Sequence, residues 1–328
     1  MNLKRIMATA FTCVMAVAAN ALPYSAEMLE AMGVDYEYSA VNSIDEVCAD
    51  ELLQGGNFDS WSTRTFTESK LLGGKTVNLA KPASPWCCSN VHAKLAGIVK
   101  TNESVYKDSH PGNGSCAKLY SHLVSCKVLG MVDIEVFAAG SIFLGSIAEP
   151  ITGASNPYGK INFGIPFTKK PKAIKFDYKT QIVGGSRIKK GVGSKSTVGG
   201  QDMAEMVCIL QKRTEDASGN ITAVRVGTVV KRFNKTSGWV NGASFPIIYG
   251  DASKQSGYNA ESMGLAGKGG VTRNAKNKKG RIVPIKETGW DGNATPTHLI
   301  VQFSSSHGGA YIGTVGNTMW VDNVKMVY

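Results

Sequence analysis

Two acidic residues share one face of a short apolar segment in the middle of the chain. Asp133 and Glu135 are separated by a single isoleucine within residues 131–136. Because a strand rises about 3.3 Å per residue, their side chains lie roughly 7 Å apart. Glycosidases use two acids about 5–9.5 Å apart, so this pair is the catalytic candidate of the chain. The competing interpretation, which the pattern favours, is the polar outer face of a sheet.

A third acid lies in the last apolar segment of the chain. The flanking apolar residues are Met319, Val321, Val324 and Met326, and the polar pair between them is Asp322 and Asn323. A carboxylate in such a strand is costly to bury unless another group pairs with it. We therefore expect Asp322 to meet a bound cation or a hydrogen-bond network.

The tryptophans are the candidate sugar contacts. Sugars present apolar C–H faces, and exposed aromatic rings with a polar border suit them. Of the five tryptophans, Trp290 is the best exposed candidate, because it lies beside Asp291 in a polar stretch. Trp320 and Trp239 lie in predicted strands, where each serves as a platform or packs in the core. Core packing is the commoner fate of a tryptophan.

A basic stretch covers residues 268–286, which contain no acid. Its cations are Lys268, Arg273, Lys276, Lys278, Lys279, Arg281 and Lys286, and the whole chain has a formal charge of +11. Such a patch attracts acidic polysaccharide, lipopolysaccharide phosphates or nucleic acid. Nucleic acid is disfavoured because no nucleic-acid-binding motif accompanies the charge. The plainest interpretation is a solvated, mobile loop.

The N-terminal residues have the pattern of a secretory signal. Lys4 and Arg5 precede the apolar residues 6–18, and Ala19-Asn20-Ala21 fits the cleavage site. We expect residues 1–21 to be removed and the protein to be exported: periplasmic, cell-surface or secreted. No later segment has the length or hydropathy of a transmembrane helix. Residues 22–50 form a lead-in, and 51–328 form the domain, with 251–291 as a loop insertion.

The rest of the chain predicts an all-β fold. Glycine is abundant, at 37 residues, and helical patterns are few. In residues 173–181, Ile174, Phe176 and Tyr178 alternate with polar side chains, which indicates a half-buried antiparallel strand. Many short strands without βαβ alternation predict a sandwich or jelly roll.

Six cysteines follow the signal: Cys48, Cys87, Cys88, Cys116, Cys126 and Cys208. Cys208 lies in the apolar run 206–210 and is predicted to be a buried thiol. We expect one or two disulfides among the other five, since an even count in an exported chain permits a disulfide framework. The spacing gives little support to a metal site built on cysteine and histidine.

Several segments resemble the putative carbohydrate metabolism domain family of exported Bacteroidetes proteins. They lie in order along residues 51–328: Gly56-Asn57-Phe58-Asp59-Ser60-Trp61, Ala139-Gly140-Ser141-Ile142-Phe143, Pro166-Phe167-Thr168, Trp239 to Tyr249, Ser304-Ser305-Ser306 and Val321-Asp322-Asn323-Val324. Asp59 stands where the family has Glu, and the 251–291 stretch has no recognised counterpart.

The resemblance implies a jelly-roll β-sandwich similar to carbohydrate-binding modules. In such folds an acid of the first strand and an Asp of the last strand meet around a structural calcium, which here implicates Asp59 and Asp322, with Asn57 adding an oxygen. The alternative is that both acids cap turns through backbone hydrogen bonds.

Together these observations predict an exported protein that binds a polysaccharide or other glycan. The alternatives are a glycoside hydrolase and a surface adhesion or scaffold protein without a sugar site.

Overall fold

The computed structural model describes residues 50–328 except 96, 129–131, 154, 155, 157, 192 and 193. The predicted signal 1–21, and the lead-in 22–50 up to residue 49, lie outside the described residues. None of the helices formed by the described residues has the length and apolar character needed to cross a membrane. The compact unit discussed below is Leu52–Met326.

Strands dominate the described residues. In chain order they are β1 (Asp50–Leu52), β2 (Trp61–Thr67), β3 (Thr76–Pro82), β4 (Trp86–Cys88), β5 (Val91–Leu95), β6 (Ile98–Asn102), β7 (Val105–His110), β8 (Gly114–Tyr120), β9 (His122–Val128), β10 (Val132–Ala138), β11 (Ser141–Ile147), β12 (Ile161–Phe163), β13 (Ile165–Pro166), β14 (Ala173–Gln181), β15 (Ser186–Gly191), β16 (Ser194–Gln201), β17 (Ala204–Glu215), β18 (Ile221–Phe233), β19 (Ser237–Pro246), β20 (Ile248–Tyr249), β21 (Asn274–Lys276), β22 (Ile282–Trp290), β23 (His298–Ser304), β24 (Ile312–Gly313) and β25 (Thr318–Val327). One α-helical turn, α1 (Ala260–Met263), and the 3-10 turns Lys70–Leu72 and Ala252–Lys254 complete the list.

Two large sheets organise the domain. The front sheet has the strand order β19-β14-β25-β8-β7. The back sheet has the order β12-β11-β23-β17-β18-β22-β21, and β4, β13 and β20 pair at its margins. Strands far apart in sequence are therefore neighbours, as crossovers in a jelly roll require. The predicted all-β jelly-roll sandwich is confirmed.

Aromatic side chains fill the space between the two sheets. Phe176 of β14 lies 4.9 Å from Phe303 of β23 and 6.4 Å from Phe233 of β18, measured between ring centroids. Ile174 and Phe176 are fully buried and Tyr178 contacts Phe233, so the predicted alternation of β14 is correct. Residues of β14 at the intervening positions point away from this core.

Two glycines explain local features of the chain. Gly140 precedes β11, and a Cβ there would lie 2.3 Å from the Tyr120 nitrogen and 2.4 Å from the Ser104 oxygen. No side chain fits that approach. Gly219 adopts φ +86° in the turn between β17 and β18, a conformation that glycine adopts without strain.

The stretch 251–291, expected to be a loop insertion, is irregular only in part, because two strands lie within it. This stretch contains β21 and β22, and β22 runs parallel to β18 from Ile221↔Ile285 onward. Ile285 packs in a buried cluster with Ile221, Ala223 and Ala275. The abundant lysines and glycines obscured these apolar residues, whose burial stabilises the added strands.

The expected disulfides are absent among the described cysteines. Cys87, Cys88, Cys116, Cys126 and Cys208 are all buried free thiols. The prediction for Cys208 is correct: its side chain is fully buried, and burial raises the pKa of the thiol to about 12. Cys48 lies outside the described residues.

Candidate functional site

The outer face of the front sheet, turned away from the core, collects polar and aromatic side chains. Met319 and Val321 of β25 are fully buried, so Trp320 and Asp322 project from the opposite face. Trp320 is registered against Lys118 of β8, which is registered against Tyr106 of β7. These directly opposed side chains share one face.

Asn323 allows Asp322 to stay on this face while the strand continues. Its φ of +51° lies in the left-handed region, which asparagine tolerates better than most residues. Val321 and Val324 are both fully buried although three positions apart. The irregular backbone at Asn323 therefore shifts the inward and outward alternation of side chains by one position. The Asp-Asn pair marks this irregularity within the continuous strand β25.

A histidine and two aspartates form a buried cluster on the outer face. Nδ1 of His110 lies 2.7 Å from Oδ2 of Asp322 and 4.0 Å from Oδ2 of Asp177. The Asn323 amide donates to Asp177 Oδ2 at 2.8 Å, and the Gly242 N–H donates to Asp177 Oδ1 at 2.5 Å. All three titratable residues are buried.

His110 also stacks on Trp239, with ring centroids 3.7 Å apart and planes inclined by 16°. Yet β7 and β19 are the two ends of the front-sheet order. The β7–β8 hairpin and β19 must therefore approach each other over the outer face. The cluster and the stacked Trp239 stabilise this approach, because together they come from β7, β14, β25 and β19.

Burial raises the pKa of the Asp322 carboxyl to about 6. The hydrogen bond from His110 and the N–H of Asn323 oppose this rise, and the charge of Asp177 adds to it. Desolvation dominates because Asp322 has no exposed surface. Burial therefore makes the Asp322 carboxyl easier to protonate than an exposed aspartate.

Beside this cluster, two tryptophans and two lysines form an aromatic and basic surface, defined by Trp239, Trp320, Lys118 and Lys179. Trp239 is half-buried, whereas Trp320 is only 8% exposed. Nζ of Lys179 lies 4.0 Å from the ring centroid of Trp320 and 5.7 Å from that of Trp239. Nζ of Lys118 lies 5.6 Å from the Trp320 ring. These distances are in the range of cation–π interactions.

Asp108 orients Trp320. Its Oδ2 accepts the indole N–H at 2.8 Å, and its Oδ1 accepts the Ser109 N–H. Burial raises the pKa of Asp108, but the Trp320 and Ser109 hydrogen bonds and the nearby lysines outweigh that effect and lower it. The carboxylate therefore stays charged and holds the ring in one orientation.

The residues predicted to bind calcium are only partly brought together. Asp59 accepts hydrogen bonds from the Ser115 backbone at 2.9 Å and from the Asn57 amide at 2.9 Å. Asp322 instead belongs to the cluster with His110 and Asp177, in which Asp59 takes no part. These contacts join Asp59 to β8 and to Asn57, and both the calcium site and the turn-capping alternative stay predictions.

Asp133 and Glu135 lie on β10 and face away from the nearest cavity. Asp133 pairs with Lys127 at 3.7 Å and its side chain is 83% exposed, while Glu135 accepts from Ser125 at 3.0 Å. The intervening Ile134 lines the cavity on the other side of the strand. This is the arrangement expected of a polar outer face, and the catalytic assignment stays a prediction.

Trp290 and Asp291 lie at the end of β22, in the back sheet. The Arg225 guanidinium lies 5.4 Å from the Trp290 ring centroid. Asp291 caps the next turn by accepting from the Asn293 and Ala294 N–H groups at 3.0 and 3.1 Å. This pair lies on a different sheet from Trp239 and Trp320, so the four predicted ligand contacts divide between two places.

Sequence reasoning missed His110 and Lys179 and did not connect Asp177 with Asp322. Lys179 and Asp177 occupy the polar positions of β14, which identified them as outward-facing but not as neighbours of a tryptophan. His110 precedes the Pro-Gly turn of a hairpin. Its partner Asp322 is 212 residues away, and nothing local to either residue indicates the pairing.

The fold and the outer face of the front sheet together define a jelly-roll β-sandwich protein with an aromatic, basic surface on one sheet. The family model described as putative carbohydrate metabolism domain matches residues 57–327. The chain therefore belongs to the putative carbohydrate metabolism domain family, as the sequence resemblance predicted.

Two solved structures are similar to this chain. One is described as a putative glycoside hydrolase from Bacteroides thetaiotaomicron, with 18% identity, coverage of 86% of this chain and 72% of that one, and a TM-score of 0.44. The other is described as a putative glycoside hydrolase from Bacteroides vulgatus, with 14% identity, coverage of 83% and 96%, and a TM-score of 0.46. No curated protein matches the chain.

Proposed function

We propose that this protein binds a carbohydrate on the outer face of the front sheet. Trp239, which is half-buried, supplies an apolar contact to the C–H face of a sugar ring, and Trp320, which is only 8% exposed, holds Lys179 over the same surface. Lys118 and Lys179 donate hydrogen bonds to hydroxyl or carboxylate oxygens at the edges of those rings. The family's description as a carbohydrate metabolism domain supports a glycan as the ligand.

The position of Lys179 carries the proposal. One ammonium lies over both tryptophan rings, so an apolar surface and a flexible donor occur within a few ångströms of each other. Sites for small ligands combine apolar surface with a few well-placed polar groups in this way. The charge of the two lysines favours glycans that carry carboxylate or sulfate groups.

Binding is a better proposal than hydrolysis at this face. Asp177 and Asp322 have carboxylate oxygens within 4.8 Å of each other, but both side chains are buried with His110. A glycosidic bond has to reach both acids, and Asp322 has no exposed surface. The two aspartates are instead proposed to hold the shape of the face.

Export is part of the same proposal. The charged, apolar and small-residue segments of 1–21 support secretion, and a glycan-binding role suits a periplasmic, cell-surface or secreted protein. The mature chain, residues 22–328, is therefore the form to test.

The test is a glycan-array screen of the mature chain, with calcium and with a chelator, in which each hit is afterwards incubated and analysed for cleavage. We expect binding without cleavage, with a preference for acidic glycans. Cleavage would replace the binding proposal with hydrolysis and redirect attention to Asp133 and Glu135. Absence of binding to every glycan would leave the scaffold alternative. Loss of binding in chelator would support the calcium prediction.

A further inference from the structure

A cavity with a mostly apolar lining lies away from the front-sheet face. The cavity has a volume of about 510 Å³ and is bordered by the β5–β6 and β9–β10 hairpins and by β11 and β12. Apolar side chains at the hairpin end include Val91, Leu95, Val124, Ile134, Val136 and Ile147. The volume falls within the range of about 300–1,000 Å³ that is usual for small-ligand sites.

The other end of this cavity contains a buried cation. Arg273 lines the cavity and only 7% of its surface is exposed. Its Nε is buried without a hydrogen-bond partner. Its guanidinium carbon lies 6.0 Å from the Phe163 ring centroid. Burial, with repulsion from Arg225, lowers the pKa of Arg273, although the charges of Glu205 and Glu287 oppose this change.

The acids nearest to Arg273 are committed to other cations. Glu205 accepts from Arg232 Nε at 2.7 Å. Glu287 accepts from Arg225 Nε and from Gln211, both at 2.6 Å. An unpaired buried charge is strongly unfavourable, and an anion that pairs with it restores much of the lost solvation.

The remaining polar groups of the lining also have partners. Lys100 pairs with Glu68 at 3.0 Å, and Nδ1 of His307 accepts the Met203 N–H at 3.0 Å. Glu261 lies 4.0 Å from Arg232 and is 64% exposed. Among the described residues that line the cavity, Arg273 is therefore the charged side chain that forms no ion pair.

We propose that this cavity binds an amphipathic carboxylate, a molecule with one anionic head and an apolar body. The head pairs with the Arg273 guanidinium, whose planar fork suits the two oxygens of a carboxylate. The body lies among the apolar side chains of the two hairpins. This site is separate from the proposed carbohydrate-binding face. The anionic head and the apolar body of the ligand match the Arg273 end and the hairpin end of the cavity.

The test compares dodecanoate with dodecanol, which have the same chain and differ in charge, by calorimetric titration into the mature protein. Acetate serves as an anion without an apolar body. We expect dodecanoate to bind at least about tenfold more tightly than dodecanol, since a hydrogen bond to a charged group contributes about 1.5–3 kcal/mol. We expect acetate to bind much more weakly than dodecanoate.

Arg273→Met removes the charge and keeps an apolar stem. It should weaken dodecanoate binding about 10- to 100-fold and leave dodecanol binding unchanged. Lys276→Met, which removes a nearby exposed cation, is the matched control and should change neither. Equal binding of dodecanoate by wild type and Arg273→Met overturns the proposal, as does acetate binding as tightly as dodecanoate. If Arg273→Met does not fold, the wild-type comparison decides, and equal affinity for dodecanoate and dodecanol refutes the site.

Discussion

The His110–Asp322 contact should stabilise the front-sheet face measurably. We consider three variants: His110→Ala, Asp322→Asn and the double variant. Both side chains are buried and their contact atoms are 2.7 Å apart, so no solvent screens the interaction. Replacing His110 leaves the Asp322 carboxylate without its closest donor and removes the ring that stacks on Trp239.

The magnitude follows from these contacts. A hydrogen bond to a charged group contributes about 1.5–3 kcal/mol, and a stacked aromatic pair adds roughly 0.5–1.5 kcal/mol. His110→Ala should therefore lower the free energy of unfolding by about 2–4.5 kcal/mol. The double-mutant cycle should give a coupling energy of about 1.5–3 kcal/mol between the two side chains.

The assay is urea denaturation followed by tryptophan fluorescence, with thermal unfolding as a second measurement. His92→Ala is the matched control, because His92 also stacks on an aromatic ring and contacts an acid. Its ring lies 4.3 Å from Phe66, its contact with Glu149 is 3.3 Å, and its side chain is 21% exposed. We expect a smaller loss there. A coupling energy below about 0.5 kcal/mol, or equal losses in the two histidine variants, would refute the reasoning.

Three further predictions concern stability and reactivity. Because burial raises the folded-state pKa of Asp322 to about 6 from an ordinary 3.8, the folded state binds that proton more tightly than the unfolded chain. The stabilisation from the protonated Asp322 carboxyl should be complete below pH 3.8 and lost as pH rises through about 6. In a pH series of urea titrations, the free energy of unfolding of Asp322→Asn should change less over this range than that of the wild type. Glu287→Gln should cost about 3–5 kcal/mol in the same assay, since this buried carboxylate pairs with Arg225. Glu215→Gln, at a half-buried carboxylate that accepts from the Lys278 N–H, should cost less than about 1 kcal/mol, and equal costs would contradict the buried network. The five described cysteines should resist a thiol reagent in the native protein and react after unfolding, and rapid native labelling of these thiols would show that they are accessible.

The fold could be predicted from the sequence because alternation is a local signal. Ile174, Phe176 and Tyr178 identified one face of β14, and the structure places that face in the core. Alternation gave no sign of the two strands within 251–291, where glycine and lysine are the commonest residues. Ile285 is buried there because β22 finds β18 as a parallel neighbour, and that pairing leaves no mark within the segment.

The candidate site could be predicted only in part. Asp322 was recognised because a carboxylate in an apolar strand needs a partner, and the structure supplies a hydrogen-bond network as that partner. The identity of the partner depends on how the β7–β8 hairpin folds over the sheet. Arg273 appeared as one cation among many in a basic stretch, and its burial follows from strands that the composition concealed.

The most direct test of the account is a calorimetric titration of the best array glycan into the mature protein and into Trp239→Ala, Trp239→Phe and Trp290→Ala. Trp239 lies on the front-sheet face, and Trp290 is also a half-buried tryptophan, on the back sheet. Loss of an aromatic contact of about 1.5–3 kcal/mol predicts a Kd about 10- to 100-fold weaker for Trp239→Ala. Trp239→Phe should retain most of the affinity, and Trp290→Ala should bind like the wild type. Unchanged binding by Trp239→Ala, with loss in Trp290→Ala, would contradict the account and place the glycan on the other sheet.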